Sequence, residues 1–369
     1  MNPVVLPEFS GLLVNGIVVT DGESLNLGWI AADAGVITAM GTGDPTDNSG
    51  SRFDAAGRMV FPGFIDLHCH GGGGASFSAT SQAEIRTAID FHRKHGTTTI
   101  VASLISAPHD ELMRSCEMLG NFASRSDIGG IHLEGPYLAH ARCGAHDPRH
   151  LRQPSLEELE ELVSVSKHTI VQVTIAPELP GALHAIRWLV RNGIVAAVGH
   201  TDATGGQVTK AIEAGATLAT HLCNAMPPMH HREPCAVFAL LHDERVAVEI
   251  INDGVHLHPY VVSTLAARAG RLRTVFITDA IAAAGEGDGP YELGGLAAIV
   301  TDGVARLSNA VGTIAGSTLT MDVAVQNALR GGLRPQDVAA AAATVPARVL
   351  GLGDRGSIAV GKRADLVVL

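Results

Sequence analysis

From residue 60 onward the chain alternates short apolar runs with helical stretches, and this alternation restricts the folds open to it more than any single motif does. The apolar runs are Val60 to Leu67, Thr97 to Ser103, Gly130 to Glu134, Ile170 to Ile175, Ile194 to Gly199, Thr217 to His221, Val246 to Ile251 and Arg273 to Thr278. Between them lie stretches with helical spacing, among them Ser81 to His95, Pro108 to Ser124, LEELEELVSV and ALHAIRWLVRN. Eight strands separated by helices predict an α/β fold of the (β/α)8, TIM-like type. The ends differ. LLVNGIVVTDG carries an Asn15-Gly16 hairpin signal, WIAADAGVITAMG alternates around Ala34-Gly35, and RGSIAVGKRADLVVL returns to a strand pattern at the C-terminus. The economical arrangement is a small β-sandwich domain built from both termini, residues 1–59 and 351–369, with the barrel of residues 60–350 inserted between them. Within the barrel, glycine-rich Gly285 to Asn309 is expected to form a hairpin excursion on top, and Ser317 to Arg330 and Pro335 to Leu350 read as Ala-rich helices.

Composition narrows the function classes. A hydrophobic fraction of 46% with only 4% aromatic residues and 42 glycines suits a core of layered aliphatic side chains with many tight turns. The net charge of −11 opposes general binding to nucleic acid or to an anionic membrane. Five cysteines without Cys-x-x-Cys spacing argue against a disulfide framework and fit a reducing cytoplasm. Neither a signal peptide nor a membrane-spanning apolar run is expected.

In a barrel of this type the chemistry sits where strands end at the C-terminal face. The first strand runs into FPGFIDLHCHGGGG, so His68 and His70 leave the same side of an extended chain and can reach one ion. Taken alone, a His-x-His pair among 18 histidines is weak, and His256-Leu257-His258 is a second one. The other strand ends decide the matter. The third delivers Glu134, the fifth His200, the sixth His221, the seventh Asp253 and His256, and the eighth Asp279. A strand-end His or Asp is by itself more often structural, but imidazoles and carboxylates on this many strand ends form a ligand set for Zn²⁺, Fe²⁺ or a similar divalent ion.

The motifs PGFIDLHCHGGGG, HLEGPYL, VGHTDAT, THLCNAMPPMHHREP, DGVH, TDA and AGSTLTM resemble the N-acetylglucosamine-6-phosphate deacetylases of the amidohydrolase superfamily, and the likeness runs over the whole chain. The resemblance implies hydrolysis of the acetamide of N-acetylglucosamine 6-phosphate in amino-sugar metabolism. It implies that Glu134, His200 and His221 bind the main metal, Zn or Fe, and that Asp279 is the acid–base catalyst. It further implies that Asn224, Ala225, Arg232 and His256 hold the phosphorylated sugar, with His146 contacting it from a mobile loop. Some relatives have Gln-x-Asn in place of His68-Cys69-His70, so a second, facultative ion is expected here, giving one or two per subunit. A homodimer is implied, in which Arg232, alone or together with His256, reaches the phosphate of the neighbouring subunit's substrate. The rival readings are a dihydroorotase-like cyclic amidase, which would need a carboxylated lysine that none of these strand ends supplies, and a non-catalytic scaffold of the same fold.

Overall fold

Eight parallel strands pair strictly in chain order: Phe64–Cys69, Thr97–Ile105, Gly130–Glu134, Ile170–Ile175, Val195–Val198, Leu218–Ala219, Ala247–Ile251 and Thr274–Ile277. They are called barrel strands one to eight below. This is a computed structural model describing residues 3–22, 24–45, 51–126, 128–308 and 312–369. The strands read as nearly continuous apolar runs because helices cover the outer face and side chains fill the interior, so both faces are dry. Helices such as Gln82–Lys94, Leu156–Val165 and Ala182–Arg191 return the chain from one strand to the next.

The seam between strands eight and one is closed by few bonds, and they bear directly on the site. The Asp279 N–H donates to His68 O at 2.8 Å, and Cys69 bridges Ala280 in parallel. Just below, the fully buried Asp66 carboxylate accepts from Thr278 Oγ1 at 2.6 Å, from the Thr278 N–H at 3.2 Å and from the His68 N–H at 3.2 Å. Burial raises the Asp66 carboxyl to about 6, against these three hydrogen bonds.

Both termini enter one seven-stranded sheet, in which Leu366–Val368 lies between Val4–Leu6 and Met59–Pro62, so the small sandwich domain is indeed built from the two chain ends. The Ala34-Gly35 turn joins Ser24–Asp33 to Val36–Thr42 as read. Several expectations need correcting. The single strand expected over Val60 to Leu67 is two strands in different sheets, Met59–Pro62 in the sandwich and Phe64–Cys69 in the barrel. The break falls at Gly63, whose N–H reaches Asp365 O at 2.7 Å and where a Cβ would overlap Thr98 Oγ1. Asn15-Gly16 makes a bulge inside Gly11–Val19 and no hairpin. There Asn15 takes φ 55°, its side chain donates to Asp54 at 3.1 Å, and the strand changes partner from Arg52–Asp54 to Met59–Pro62.

The helix expected from Ser317 begins only at Met321, because Ser317 bridges Ala280 and holds the extension of strand eight. The C-terminal strand pattern is realised only over Leu366–Val368. The glycine-rich excursion is a three-stranded meander, Gly289–Leu293, Leu296–Thr301 and Val304–Leu307; the last residue of the expected range, Asn309, lies outside the described residues. Pro335 to Leu350 is helical with a π-turn at Ala340–Thr344, whose small buried side chains lie against strands one and eight. All five cysteines are free thiols, and among the described residues no helix is long and apolar enough to cross a membrane.

The seam makes a testable claim. Asp66→Ala takes the acceptor from the buried N–H groups of Thr278 and His68 and leaves Thr278 Oγ1 only the His68 carbonyl at 3.4 Å, and should lower the unfolding free energy by about 3 kcal/mol or more. Asp66→Asn keeps one acceptor oxygen, offers an N–H to Thr278 Oγ1 and should cost far less. Denaturant midpoints of the two variants measure this, and equal losses would show that the carboxylate's hydrogen bonds do not hold the seam.

Candidate metal centre

Glu134 ends strand three with its carboxylate almost fully buried, and histidines from four other segments surround it. Its Oε1 lies 3.1 Å from His200 Nε2 and 2.9 Å from His221 Nε2. Its Oε2 lies 3.5 Å from His68 Nε2, 3.2 Å from His70 Nε2 and 3.3 Å from His146 Nε2. The result is two adjoining ligand groups, Glu134-His200-His221 and His68-His70-Glu134, that share one carboxylate. Asp279 Oδ1 completes the second side, 3.5 Å from His68 Nε2 and 3.3 Å from His70 Nε2.

The ring tautomers can be read from their second nitrogens. His200 Nδ1 donates to Arg142 O at 2.9 Å, and His68 Nδ1 faces the buried Glu249 carboxylate at 3.3 Å. In both rings the proton therefore sits on Nδ1 and the Nε2 lone pair is directed at the centre, as metal ligation requires. His146 is the opposite case. The Ser106 N–H donates to His146 Nδ1 at 3.2 Å, so in the neutral ring Nε2 carries the proton and serves as a donor. Burial and the neighbouring His200 charge push His146 down to about 4, so it stays neutral.

Whether these residues fit a divalent ion is decided by their charges and lone pairs. His68 Nε2 stands 3.0 Å from His70 Nε2, and His200 Nε2 stands 3.1 Å from His221 Nε2. Two lone pairs at such a distance repel unless a proton or a cation lies between them. Burial alone would raise the Glu134 carboxyl, yet the positive charges of His68 and His200 hold it well below its usual range. Asp279 behaves likewise: burial is outweighed by the charge of His68 and the hydrogen bond from His70, leaving it ionised. His68 rises well above its ordinary value, because Glu134 and Asp279 outweigh its burial. A buried cluster of carboxylates thus demands positive charge; a divalent ion supplies it while leaving the imidazoles neutral. The donor set fits. A third grouping, Asp66-Cys69-His92, also brings potential ligand atoms together. Its atoms are already engaged, Asp66 at the seam and His92 Nε2 on Gly71 O at 2.8 Å.

Backbone geometry marks the same positions. His200, His221 and Asp279 have φ of 46°, 26° and 50°, and Cys223 and Ala225 are also left-handed. Non-glycine residues held there cost about 1 kcal/mol or more each, and they concentrate at functional sites. Neighbouring bonds hold them, with the Ala139 N–H on His200 O at 3.0 Å, the Asn224 N–H on His221 O at 2.9 Å and the Ser317 N–H on Asp279 O at 2.8 Å.

A cavity of about 270 Å³ opens onto this cluster. His70, Glu134, His146, His200, His221 and Asp279 line it, together with Asn224, Ala225 and His256. His68 lies just behind His70. His256 Nδ1 meets Asp253 Oδ2 at 2.7 Å, and although burial opposes it, that partner raises the imidazole's pKa. Of the expected site residues two do not line this cavity, His68, which meets Glu134 and His70 at its edge, and Arg232. Arg232 is exposed on the loop after strand six, with Nη1 2.6 Å from His231 Nε2.

Sequence reasoning missed Ser106, which sets the His146 tautomer, and Glu249. Glu249 is fully buried in the middle of strand seven, where Oε2 accepts the His221 N–H at 3.2 Å and faces His68, while Oε1 accepts from Gln172 Nε2 at 3.1 Å. The available signal was a charged residue inside the apolar run VAVEII. Glu249→Gln should weaken metal retention about 10- to 100-fold, the usual effect of removing such a partner. Chelator competition followed by metal analysis measures it, and unchanged retention would show that Glu249 does not tune the ligand set.

The amidohydrolase family model matches residues 59–369. An N-acetylgalactosamine-6-phosphate deacetylase of Escherichia coli O157:H7 is 37% identical over 342 residues, 91% of this chain and 88% of that protein. The N-acetylglucosamine-6-phosphate deacetylase of Bacillus subtilis (strain 168) is 33% identical, with 97% and 93% covered. Among solved structures, an alanine mutant of the N-acetyl-D-glucosamine-6-phosphate deacetylase of Mycobacterium smegmatis, in complex with N-acetyl-D-glucosamine-6-phosphate, superposes with a TM-score of 0.94. It is 44% identical, and the match covers 98% of this chain and 95% of that one. With the barrel, the shared Glu134 and these relatives in agreement, the chain belongs to the amidohydrolase family and, within it, to the N-acetylglucosamine-6-phosphate deacetylases.

Proposed function

We propose that the protein hydrolyses the acetamide of N-acetylglucosamine 6-phosphate to acetate and glucosamine 6-phosphate, in cytoplasmic amino-sugar catabolism or recycling. What carries the reading is that a single cavity presents the Glu134-centred ligands and the ionised Asp279 together with Asn224, Ala225 and His256. In this reading residues 60–350 are the catalytic barrel and residues 1–59 and 351–369 its sandwich. Glu134, His200 and His221 hold the tighter ion, Zn or Fe, and His68 and His70 a facultative second one through the shared Glu134. When bound, such an ion supplies a water of lowered pKa and a Lewis acid for the carbonyl.

The chain's own groups do the rest. Asp279 accepts the attacking water's proton and delivers it to the sugar nitrogen as the C–N bond breaks. His146, fixed as an Nε2–H donor by Ser106, hydrogen-bonds the carbonyl oxygen as it gains charge. His256, whose Nδ1 is held by the Asp253 carboxylate that raises its pKa against its burial, faces the phosphate beside Asn224 and the Ala225 backbone. A cyclic amidase with a carboxylated lysine is disfavoured, since Lys94, Lys167, Lys210 and Lys362 all lie away from the cavity.

Acetate release from N-acetylglucosamine 6-phosphate should far exceed release from the unphosphorylated sugar. Asp279→Asn keeps shape but removes the base, so kcat should fall roughly 10²- to 10⁴-fold with substrate still bound. Arg232→Ala should chiefly raise KM, because a remote phosphate is held about equally in ground and transition states. Near wild-type kcat in Asp279→Asn would sink the mechanism.

We also propose a homodimer in which Arg232 crosses to the phosphate of the neighbouring subunit. Its distance from its own cavity supports this, as do the exposed apolar side chains of Met229, Phe238 and Tyr260 on the adjoining loop and helices. Mixed dimers of Arg232→Ala and Asp279→Asn subunits should recover part of the activity that each homodimer lacks. No recovery in verified heterodimers would refute the crossing.

A further inference from the structure

We infer that Ile105 and Leu293 form the pocket for the acyl group and set the length of acyl chain that the site accepts, an inference that rests on the deacetylase reading above. The cavity has two unlike kinds of lining. Asn224, the Ala225 backbone and His256 are polar lining from the loops after strands six and seven, whereas Ile105 at the end of strand two, Ala145 in the loop after strand three and Leu293 in the meander are apolar lining packed in one cluster. Ile105 is the last residue of strand two and pairs in register with Glu134, so it stands beside the carboxylate at the centre of the ligand set. Ala145 immediately precedes His146, whose Nε2 is 3.3 Å from Glu134 Oε2. Ile105, Ala145 and Leu293 also pack into one small cluster beneath the meander. The apolar wall therefore borders the place where the amide must react. A planar amide carries its nitrogen and its acyl substituent on opposite sides of the carbonyl carbon. With the sugar phosphate directed to Asn224 and His256, the acyl substituent is directed to Ile105 and Leu293.

The wall is braced from behind. A Cβ on Gly294 would overlap Ile105 Cδ1, so the turn that follows Leu293 lies directly on the Ile105 side chain. Gly294 meets this close approach with φ +54°, a conformation that glycine adopts without strain. Past that contact lies a second cavity of about 980 Å³, lined by Leu104, Glu292, Gly294 and again Ile105. Ile105 thus separates the reaction cavity from a larger space. An acetyl methyl ends against it, and a longer chain would have to displace a side chain pinned by the meander backbone. Shortening residue 105 removes the partition and opens room for a longer chain.

The test uses metal-loaded full-length protein and measures glucosamine 6-phosphate, the product common to the N-acetyl, N-butanoyl and N-hexanoyl substrates. The wild type should prefer the N-acetyl substrate. In Ile105→Ala the ratio of kcat/KM for N-butanoyl over N-acetyl should rise roughly 10- to 200-fold, the discrimination that one or two methylenes give in an apolar pocket. Leu293→Ala, at the end of the meander's first strand and outside the barrel, should shift the ratio in the same direction if the strand-two variant folds poorly. In the Asp279→Asn background, calorimetry should show Ile105→Ala tightening the binding of the N-butanoyl substrate, a readout independent of turnover. A wild type that cleaves N-hexanoyl as readily as N-acetyl would overturn the inference, as would folded variants whose ratio stays unchanged. No N-acetyl cleavage by the wild type would overturn the deacetylase reading and this inference with it, whereas retained cleavage with an unchanged ratio would overturn the acyl wall alone.

Discussion

Everything at the reactive end of this barrel depends on the buried charge of Glu134. A carboxylate in so dry a place is costly unless positive charge stands against it, and five histidine Nε2 atoms lie within 3.5 Å of its two oxygens. Because Oε1 serves His200 and His221 while Oε2 serves His68 and His70, the carboxylate connects two half-sites whose occupancies cannot be independent. Glu249 ties them from below, since one of its oxygens meets both the His68 ring and the His221 N–H. Glu249 on the His68 Nδ1 and the Arg142 carbonyl on the His200 Nδ1 therefore fix the tautomers of one ring in each half-site before any ion arrives.

How far the sequence revealed this follows from how local each signal is. Strand ends in a parallel barrel share one rim, so residues scattered from His68 to Asp279 could be assigned to one site from alternation alone. Glu249 escaped because it acts through two other residues, and nothing in VAVEII says which rings its carboxylate will meet. Ser106 escaped for a similar reason, because it acts through the His146 ring, whose Nδ1 meets both its N–H and its hydroxyl. The break at Gly63 was hidden because Met59–Pro62 and Phe64–Cys69 are both apolar, and only the packing of Thr98 and Asp365 around that glycine shows that the chain changes sheet. Asn15-Gly16 carries the chemistry of a tight turn, but a long strand used the same left-handed preference to make a bulge.

The left-handed backbone at His200, His221 and Asp279 explains why the ligands converge. A strand that continued straight would carry these side chains along the barrel axis, past the rim. A left-handed residue at the strand end turns the chain sharply and aims the side chain inward, while the following residue begins the loop. Each such turn is unfavourable for a residue with a Cβ; His200 and Asp279 are held by a backbone hydrogen bond from another segment and His221 by the N–H of Asn224 in the same turn. The strain is local, and the loops that resist it also line the cavity.

Barrel closure and site assembly are then the same event. The Asp279 N–H bonds to His68 O, and the Asp66 carboxylate holds both Thr278 and the His68 N–H, so the register between strands eight and one places Asp279 against the His68-His70 pair. A slip of one residue would turn the side chain to the other face of the sheet and remove the Asp279 carboxylate from the cavity. Asp66 does not line the cavity, yet it fixes the spacing between Asp279 and the His68-His70 pair. A buried polar group at the seam of an otherwise apolar barrel is thus accounted for by position. It specifies one register where apolar packing alone would tolerate neighbouring ones, and the chemistry at the rim requires that register.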